Sequence, residues 1–255
     1  LACSVRRLSM NRIRKLANRL RLPYIKNYYQ EAINEALDQH FSYEQFLEYL
    51  LTQENVGRDR NSIEKRIKSA KFPYLKYLTD LRFDTFPIEV ANQIRELQSL
   101  SFIEQGRNVI FVGNPGVGKT HTSIGLGVKA CMESKSVLFI TVPNLITELK
   151  ESMTLNQLTN YKKRFISYDL VILDELGYIT FDKQGSELLF NLLSMRNERK
   201  SIIITTNLTF NRWQEIFHDP TLTAAMVDRL THKAIVINIK GDSYRLKETM
   251  EWLGS

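Results

Sequence analysis

Apolar residues recur at three- and four-residue spacing through the first quarter of the chain, and this period predicts helices. Residues 9–22 fit a basic amphipathic helix, and residues 24–38 fit a second helix after Pro23. A third helix begins after Ser42, because Ser42 and Gln45 have the spacing of a capping box, and it runs on through the charged stretch that follows. We expect it to bury four side chains: Phe46, Leu47, Leu50 and Leu51.

From Ile88 onwards, short apolar runs alternate with helical segments. Five runs have the length and residue types of buried strands, namely 108–112, 136–141, 169–173, 201–206 and 234–239. This alternation predicts an α/β fold, with a five-stranded parallel sheet and helices on both faces. One helix is expected over 88–101. The segment 143–167 is too long for a simple crossover helix, so we expect two short helices there.

The two patterns divide the chain into parts. Residues 1–74 are expected to form a small all-α domain, which Phe72 and Pro73 close. Residues 75–87 are expected to be a linker. Residues 88–255 are expected to form the α/β domain.

A glycine-rich turn follows the first strand and precedes a helix. Its pattern, Gly-x-x-x-x-Gly-Lys-Thr, is that of a phosphate-binding P-loop, in which backbone N–H groups surround a polyphosphate. Lys119 would bring a positive charge to the β- and γ-phosphates, and the Thr120 hydroxyl would bind Mg²⁺. The predicted nucleotide-binding residues are Gly113, Asn114, Pro115, Gly116, Val117, Gly118, Lys119, Thr120 and His121.

Polar residues end two further strands. The run from Asp169 ends in Asp174 and Glu175, and buried charges of this kind need partners or water. In a P-loop protein, Asp174 would bind Mg²⁺ and Glu175 would orient the attacking water. Asn207 ends the fourth strand, where it either contacts the γ-phosphate or the water, or simply forms a turn.

Two arginines are candidates for binding the γ-phosphate beyond Lys119. Arg229 and Arg245 both follow the fourth strand, and an arginine supplied by a neighbouring subunit would make hydrolysis depend on assembly. The alternative for each is an ordinary surface salt bridge.

Charge is concentrated at the amino-terminal end. The net charge is +7, and residues 1–80 hold 15 Lys/Arg against 9 Asp/Glu. A basic excess of this kind suggests a DNA or RNA partner, and a solvated basic helix is an equal alternative. The expected DNA contacts are Arg12, Arg14, Lys15, Lys150, Lys162, Lys163 and Arg164.

Other composition features exclude some classes. Cys3 and Cys131 lack metal-ligand spacing, so neither a disulfide nor a zinc site is indicated, and Cys131 is expected to pack as an apolar residue. The chain has no run of 18 apolar residues and no apolar signal segment near its start, so we expect a cytoplasmic protein.

These motifs together resemble the IstB/DnaC branch of the AAA+ ATPases over about residues 80–250. The resemblance rests on the P-loop, Leu-Asp-Glu at 173–175, Thr-Thr-Asn at 205–207, Asp-Arg-Leu at 228–230 and Gly-Asp-Ser-Tyr-Arg-Leu-Lys at 241–247. The amino-terminal part is also similar to the helical domain of IstB, the ATP-binding helper of an insertion-sequence transposon, above all at 66–76.

The resemblance implies roles for individual residues. It makes 113–120 Walker A and 170–175 Walker B, and it implies a sensor 1 at Asn207, an arginine finger at Arg229 and a sensor-2-like arginine at Arg245. It also implies that 143–167 is an insertion used for assembly and DNA contact. Because only about fifteen residues follow the last strand, the usual helical lid domain is expected to be missing, which is a departure from most AAA+ proteins.

The first functional hypothesis is a transposition regulator with Mg²⁺-dependent ATPase activity. It would form a homo-oligomer on duplex DNA with ATP sites at subunit interfaces, recruit an IstA-like transposase, and disassemble on hydrolysis. The nearest alternative is a DnaC-like replicative helicase loader. A nucleotide-gated interaction module without hydrolysis is less well supported, because Glu175 is present.

Overall fold

Three helices form the amino-terminal part of the chain, as the apolar period predicted. The computed structural model describes residues 12–241, 243–244, 249–250 and 252. Within that range α1 covers residues 12–19, α2 spans Pro23–Asp38 and α3 spans Tyr43–Ser69. The predicted capping box is confirmed: the Ser42 N–H donates to Gln45 Oε1 at 2.8 Å, and the Gln45 N–H donates to the Ser42 hydroxyl at 3.2 Å.

A polar network joins α2 to α3. Leu22, which precedes α2, offers no capping side chain. Instead the buried Glu54 accepts hydrogen bonds from the N–H groups of Tyr24 and Ile25, at 2.9 and 3.3 Å. The Tyr49 hydroxyl donates to Glu35 at 2.6 Å. Glu54 on α3 therefore caps the start of α2.

The expected burial of two leucines in α3 is wrong. Leu47 and Leu51 are 58% and 55% exposed, whereas Phe46 and Leu50 are half-buried. Each exposed leucine lies one position, about 100° around the helix, beyond a half-buried one. The buried face of α3 is therefore too narrow to include Leu47 and Leu51.

Five parallel strands form one sheet. They are β1 (Val109–Gly113), β2 (Val137–Thr141), β3 (Leu170–Leu176), β4 (Ser201–Thr206) and β5 (Ile235–Ile239). The order across the sheet is β2-β3-β4-β1-β5, and each neighbouring pair is parallel. The predicted α/β class is confirmed.

Eight α-helices accompany the sheet between residues 88 and 231. They are α4 (Ile88–Leu97), α5 (Ser101–Glu104), α6 (Lys119–Met132), α7 (Val142–Thr154), α8 (Leu158–Ser167), α9 (Lys183–Ser194), α10 (Gln214–Phe217) and α11 (Pro220–Thr231). The segment 143–167 forms two helices, as predicted. The single helix predicted over 88–101 is interrupted, because Leu100 adopts a left-handed φ of 56°.

Alternate residues of each strand supply two cores. Ile110 and Val112 of β1 pack on the side that α7, α9 and α11 cover, while Val109 and Phe111 pack on the side that α4 and α6 cover. Cys131 of α6 is fully buried in the second core, so its predicted apolar packing is confirmed. In the part of the chain that the structure describes, no helix combines the length and apolarity needed to cross a membrane.

The chain divides into two compact units after Lys65, within α3. Residues from Arg66 belong to the α/β unit: the Ala70 carbonyl accepts from the Phe139 N–H at the edge strand β2, at 2.8 Å. The division therefore falls before the boundary expected at residue 74. The expected linker also contains two short 3₁₀ helices, Leu78–Asp80 and Phe83–Thr85.

Candidate functional site

The glycine-rich turn, residues 113–120, joins the carboxyl end of β1 to the start of α6. Gly116 and Gly118 adopt φ values of 84° and 94°, which side chains with a Cβ rarely tolerate. Lys119 is buried, and its ammonium group donates to the carbonyls of Gly113 and Asn114 at 2.7 and 2.8 Å. The loop therefore has the curled backbone and the fixed cation that polyphosphate binding requires.

Side chains of residues 74–86, all but Tyr74 in the expected linker, form one wall of the cleft over this loop. The cleft has a volume of about 430 Å³, and its wall includes Tyr74, Lys76, Asp80, Leu81, Arg82, Thr85 and Phe86. The Phe86 ring lies so close to Gly118 that a Cβ there would be 3.3 Å from it. His121 also lines the cleft, and burial lowers the pKa of its imidazole.

The segment after β5 closes another side of the loop. The Tyr244 N–H donates to the Gly116 carbonyl at 3.0 Å, and a Cβ on Gly116 would clash with the Ser243 hydroxyl. The Arg82 guanidinium stacks over the Tyr244 ring at 5.7 Å. Sequence reasoning missed the wall formed by the expected linker, because that segment has no recognisable period or motif. The segment after β5 carries the motif at 241–247, but the motif alone gave no role to Ser243 or Tyr244. Arg245 lies outside the described residues.

The two predicted acidic residues stand beside the loop. Asp174 is buried, and the Thr120 hydroxyl donates to its two carboxylate oxygens at 2.9 and 3.1 Å. Glu175 is exposed and lines the cleft. Thr205 on β4 also donates to Asp174. A hydroxyl and two carboxylates next to a phosphate loop are oxygen ligands of the kind Mg²⁺ takes, so the residues present fit that ion.

Asn207 follows β4 at the same carboxyl edge of the sheet. Its Oδ1 is buried, and no residue in the described ranges hydrogen-bonds to it. A Cβ on Gly177, just after β3, would lie 2.6 Å from that oxygen. A buried amide oxygen without a partner is costly in a folded protein, and it is typical of a functional position.

Arg229 lies at the opposite edge of the sheet. Its helix, α11, is held at the amino end of β1, where the Asn108 amide donates to the Leu230 carbonyl at 3.1 Å. The Arg229 guanidinium stacks over Phe190 at 4.5 Å and donates to the Ser194 hydroxyl, both on α9. The structure therefore does not bring Arg229 to the phosphate loop of its own chain, and the contacts that hold it are a ring and a hydroxyl rather than a carboxylate.

The basic residues expected to contact DNA lie in two places, each on its own unit. Arg12, Arg14 and Lys15 are exposed on α1. On α8, Lys163 and Arg164 are exposed and Lys162 is half-buried, and Arg164 stacks over Tyr161 at 5.3 Å. Lys150 differs from these, because its ammonium forms an ion pair with Asp182 at 2.8 Å.

With this geometry established, the relatives of the chain can be compared. The family described as IstB-like ATP binding protein matches residues 15–251. The chain belongs to the IstB-like ATP-binding protein family. A protein named as an ATP-binding protein of insertion sequence IS21, from Pseudomonas aeruginosa, is 38% identical over 239 residues, which cover 94% of this chain and 90% of the relative. A counterpart of insertion sequence IS5376, from Geobacillus stearothermophilus, is 37% identical over 93% of this chain and 94% of the relative.

Solved structures show the fold that this IstB-like protein shares with others. The DnaC helicase loader superposes with a TM-score of 0.52 and 22% identity, over 72% of this chain and 99% of that chain. DnaI superposes with a TM-score of 0.56 and 19% identity, over 65% and 91%. These likenesses confirm the predicted AAA+ fold, and the family match confirms the predicted binding of ATP.

Proposed function

We propose that this IstB-like protein is an ATPase whose subunits assemble on duplex DNA, recruit a partner transposase and separate after hydrolysis. The relatives named for insertion sequences support the setting in transposition. The observation that carries the assembly step is the separation of the catalytic groups: Glu175 lines the ATP cleft, while Arg229 is held at the opposite edge of the sheet. A site that needs both groups is completed by a neighbouring subunit.

The residues of the cleft have distinct roles in this proposal. Lys119 neutralises charge on the β- and γ-phosphates, and the loop N–H groups hold them in place. Thr120 and Asp174 would hold Mg²⁺, which neutralises the charge that develops on the phosphate oxygens. Glu175 accepts a proton from the attacking water and orients it. Asn207, at the same carboxyl edge of the sheet, would contact the γ-phosphate or the same water.

Arginines act on the γ-phosphate from outside the loop. Arg229 of one subunit would stabilise the transition state in the next, so that turnover depends on assembly. Arg245, which follows Tyr244 in the sequence, would contact the γ-phosphate in the manner of a sensor 2.

DNA binding is assigned to the exposed cations. Arg12, Arg14 and Lys15 on α1 would contact phosphates from the helical amino-terminal domain, and Lys162, Lys163 and Arg164 would do so from the insertion at 143–167. Lys150 would join them only by exchanging Asp182 for a DNA phosphate. Contacts of this type tolerate any sequence and weaken steeply with salt.

The test is a sizing measurement on duplex and single-stranded DNA, with and without ATP and Mg²⁺. We expect assembly on duplex only with ATP, no assembly for Lys119→Ala, and a long-lived assembly for Glu175→Gln, which binds ATP but hydrolyses it slowly. Preference for single strands would instead indicate a helicase loader. Assembly that is the same with and without ATP would refute the proposal. Assembly of a wild-type protein that does not hydrolyse ATP would indicate an interaction module.

A further inference from the structure

Thr205 of β4 links the two acidic residues of the cleft through one hydroxyl group. Its side chain is buried, with 2% of the residue exposed. The hydroxyl donates its proton to Asp174 Oδ1 and accepts the backbone N–H of Glu175 at 3.1 Å. Because a hydroxyl has only one proton, these two hydrogen bonds fill complementary roles.

The backbone at Glu175 explains why such a support is needed. The pairing of β3 with β4 shifts here: Leu173 lies opposite Ile204, but Leu176 lies opposite Thr206. One extra residue of β3 is therefore accommodated between these pairs. Glu175 takes it up with a left-handed φ of 64°. That conformation is costly for a residue with a Cβ, so surrounding contacts must hold it.

Both acidic side chains lie beside the phosphate loop. Asp174 is buried and accepts from the Thr120 hydroxyl, while Glu175 is exposed and lines the cleft over the loop. Two series of hydrogen bonds end at the Asp174 carboxylate. One comes from the Thr120 hydroxyl, and the other comes from the Glu175 N–H through the Thr205 hydroxyl.

We propose that Thr205 is a positioning residue for ATP hydrolysis, which fixes Glu175 relative to Asp174 through its hydroxyl. The inference rests on the ATPase activity proposed above. Thr205 borders the cleft, but its hydroxyl bonds to Asp174 and to the Glu175 N–H, so it acts through these two residues. It sets where the residue that handles the water stands with respect to the residue that holds the ion. A displacement of about 1 Å between such groups lowers a rate by about 10²-fold.

Three variants separate this role from a general effect on the strand. Thr205→Val keeps the shape and removes the hydroxyl, Thr205→Ser keeps the hydroxyl, and Thr206→Val makes the same change at the next residue. Thr206 is equally buried, but its hydroxyl accepts the Leu208 N–H at 3.1 Å and donates to the Leu208 carbonyl at 3.4 Å. Among the described residues, it forms no hydrogen bond with Asp174. The measurements are the ATP dissociation constant, kcat on duplex DNA and the melting temperature.

We expect Thr205→Val to lower kcat by about 10²-fold while the ATP dissociation constant changes by less than about threefold. Thr205→Ser should retain kcat within about fivefold of the wild type, and Thr206→Val should turn over normally at a similar loss of melting temperature. A kcat loss in Thr206→Val as large as in Thr205→Val, or failure of serine to retain activity, would overturn the inference. A wild-type protein that binds ATP without hydrolysing it would instead refute the proposed function.

Discussion

Replacing Arg229 by alanine tests whether each ATP site is shared between subunits. The strand β1 has five residues, each with a rise of about 3.3 Å, so the phosphate loop and the anchor of α11 are roughly 16 Å apart. An arginine side chain is shorter than this distance. Arg229 therefore acts in a neighbouring subunit or takes no part in hydrolysis.

The size of the effect follows from the part that an arginine finger plays. In other nucleotide hydrolases such a residue raises kcat by about 10³- to 10⁵-fold. For Arg229→Ala we expect a loss of kcat of at least about 10²-fold, which corresponds to about 3 kcal/mol of transition-state stabilisation. The ATP dissociation constant of the isolated subunit should not change, because Arg229 is remote from its own cleft.

A mixing assay makes the test decisive. We expect Arg229→Ala and Glu175→Gln to have little activity alone, but an interface that takes Glu175 from the first variant and Arg229 from the second is complete. In an equal mixture about one quarter of the interfaces have this composition, so we expect about one quarter of the wild-type turnover. Arg212→Ala is the control, since Arg212 is an exposed arginine paired with Glu215. An inactive mixture, or full activity of Arg229→Ala alone, would refute the shared site.

Further predictions concern stability and reactivity. Glu54→Ala should destabilise the helical unit by about 1–3 kcal/mol, because two N–H groups lose their acceptor. Glu54→Gln keeps an acceptor oxygen and should lose less stability. Equal urea midpoints for the wild type and both variants would contradict this prediction. Burial opposes ionisation of Asp169, but hydrogen bonds from Lys200 and Ser136 outweigh it and lower its pKa to about 2. These contacts should therefore stabilise the fold above about pH 4 and lose their effect towards pH 2. Asp169→Asn should lower the free energy of unfolding by about 1 kcal/mol after allowance for partial exposure, and urea unfolding should show this loss shrinking between about pH 4 and pH 2. A loss that does not change with pH would contradict the prediction. Burial also raises the pKa of the Cys131 thiol to about 11, so in a Cys3→Ser background a thiol reagent should label the protein only as it unfolds, and prompt labelling of the native state would count against it.

Local patterns predicted the elements that depend on local sequence. The five strands are runs of β-branched and aromatic residues, and the phosphate loop has fixed spacing, so both could be placed without coordinates. The capping box of α3 is local in the same sense. The family match agrees with these motifs.

Features that depend on contacts between distant segments could not be predicted. The run around Glu175 reads as an ordinary strand end, because the register shift arises only when β3 pairs with β4. The wall around Phe86 consists of short turns without a period, so sequence reasoning treated it as a linker. The leucines of α3 have helical spacing, but the number of helices that cover them is a tertiary property. The sequence motif identifies Arg229 as a candidate, but only the hydrogen bond between Asn108 and Leu230 shows that Arg229 lies near the amino end of β1.

The bond from Asn108 to α11 also bears on the geometry of an assembly. Asn108 immediately precedes β1, and Gly113, at the other end of that strand, opens the phosphate loop. In the proposed oligomer, one end of β1 thus serves the ATP site shared with one neighbour, and the other end serves the site shared with the opposite neighbour. Since β1 is a central strand with partners on both sides, the spacing between successive ATP sites is set by a rigid element. Any change in the pitch of the assembly must then arise at the interfaces between subunits.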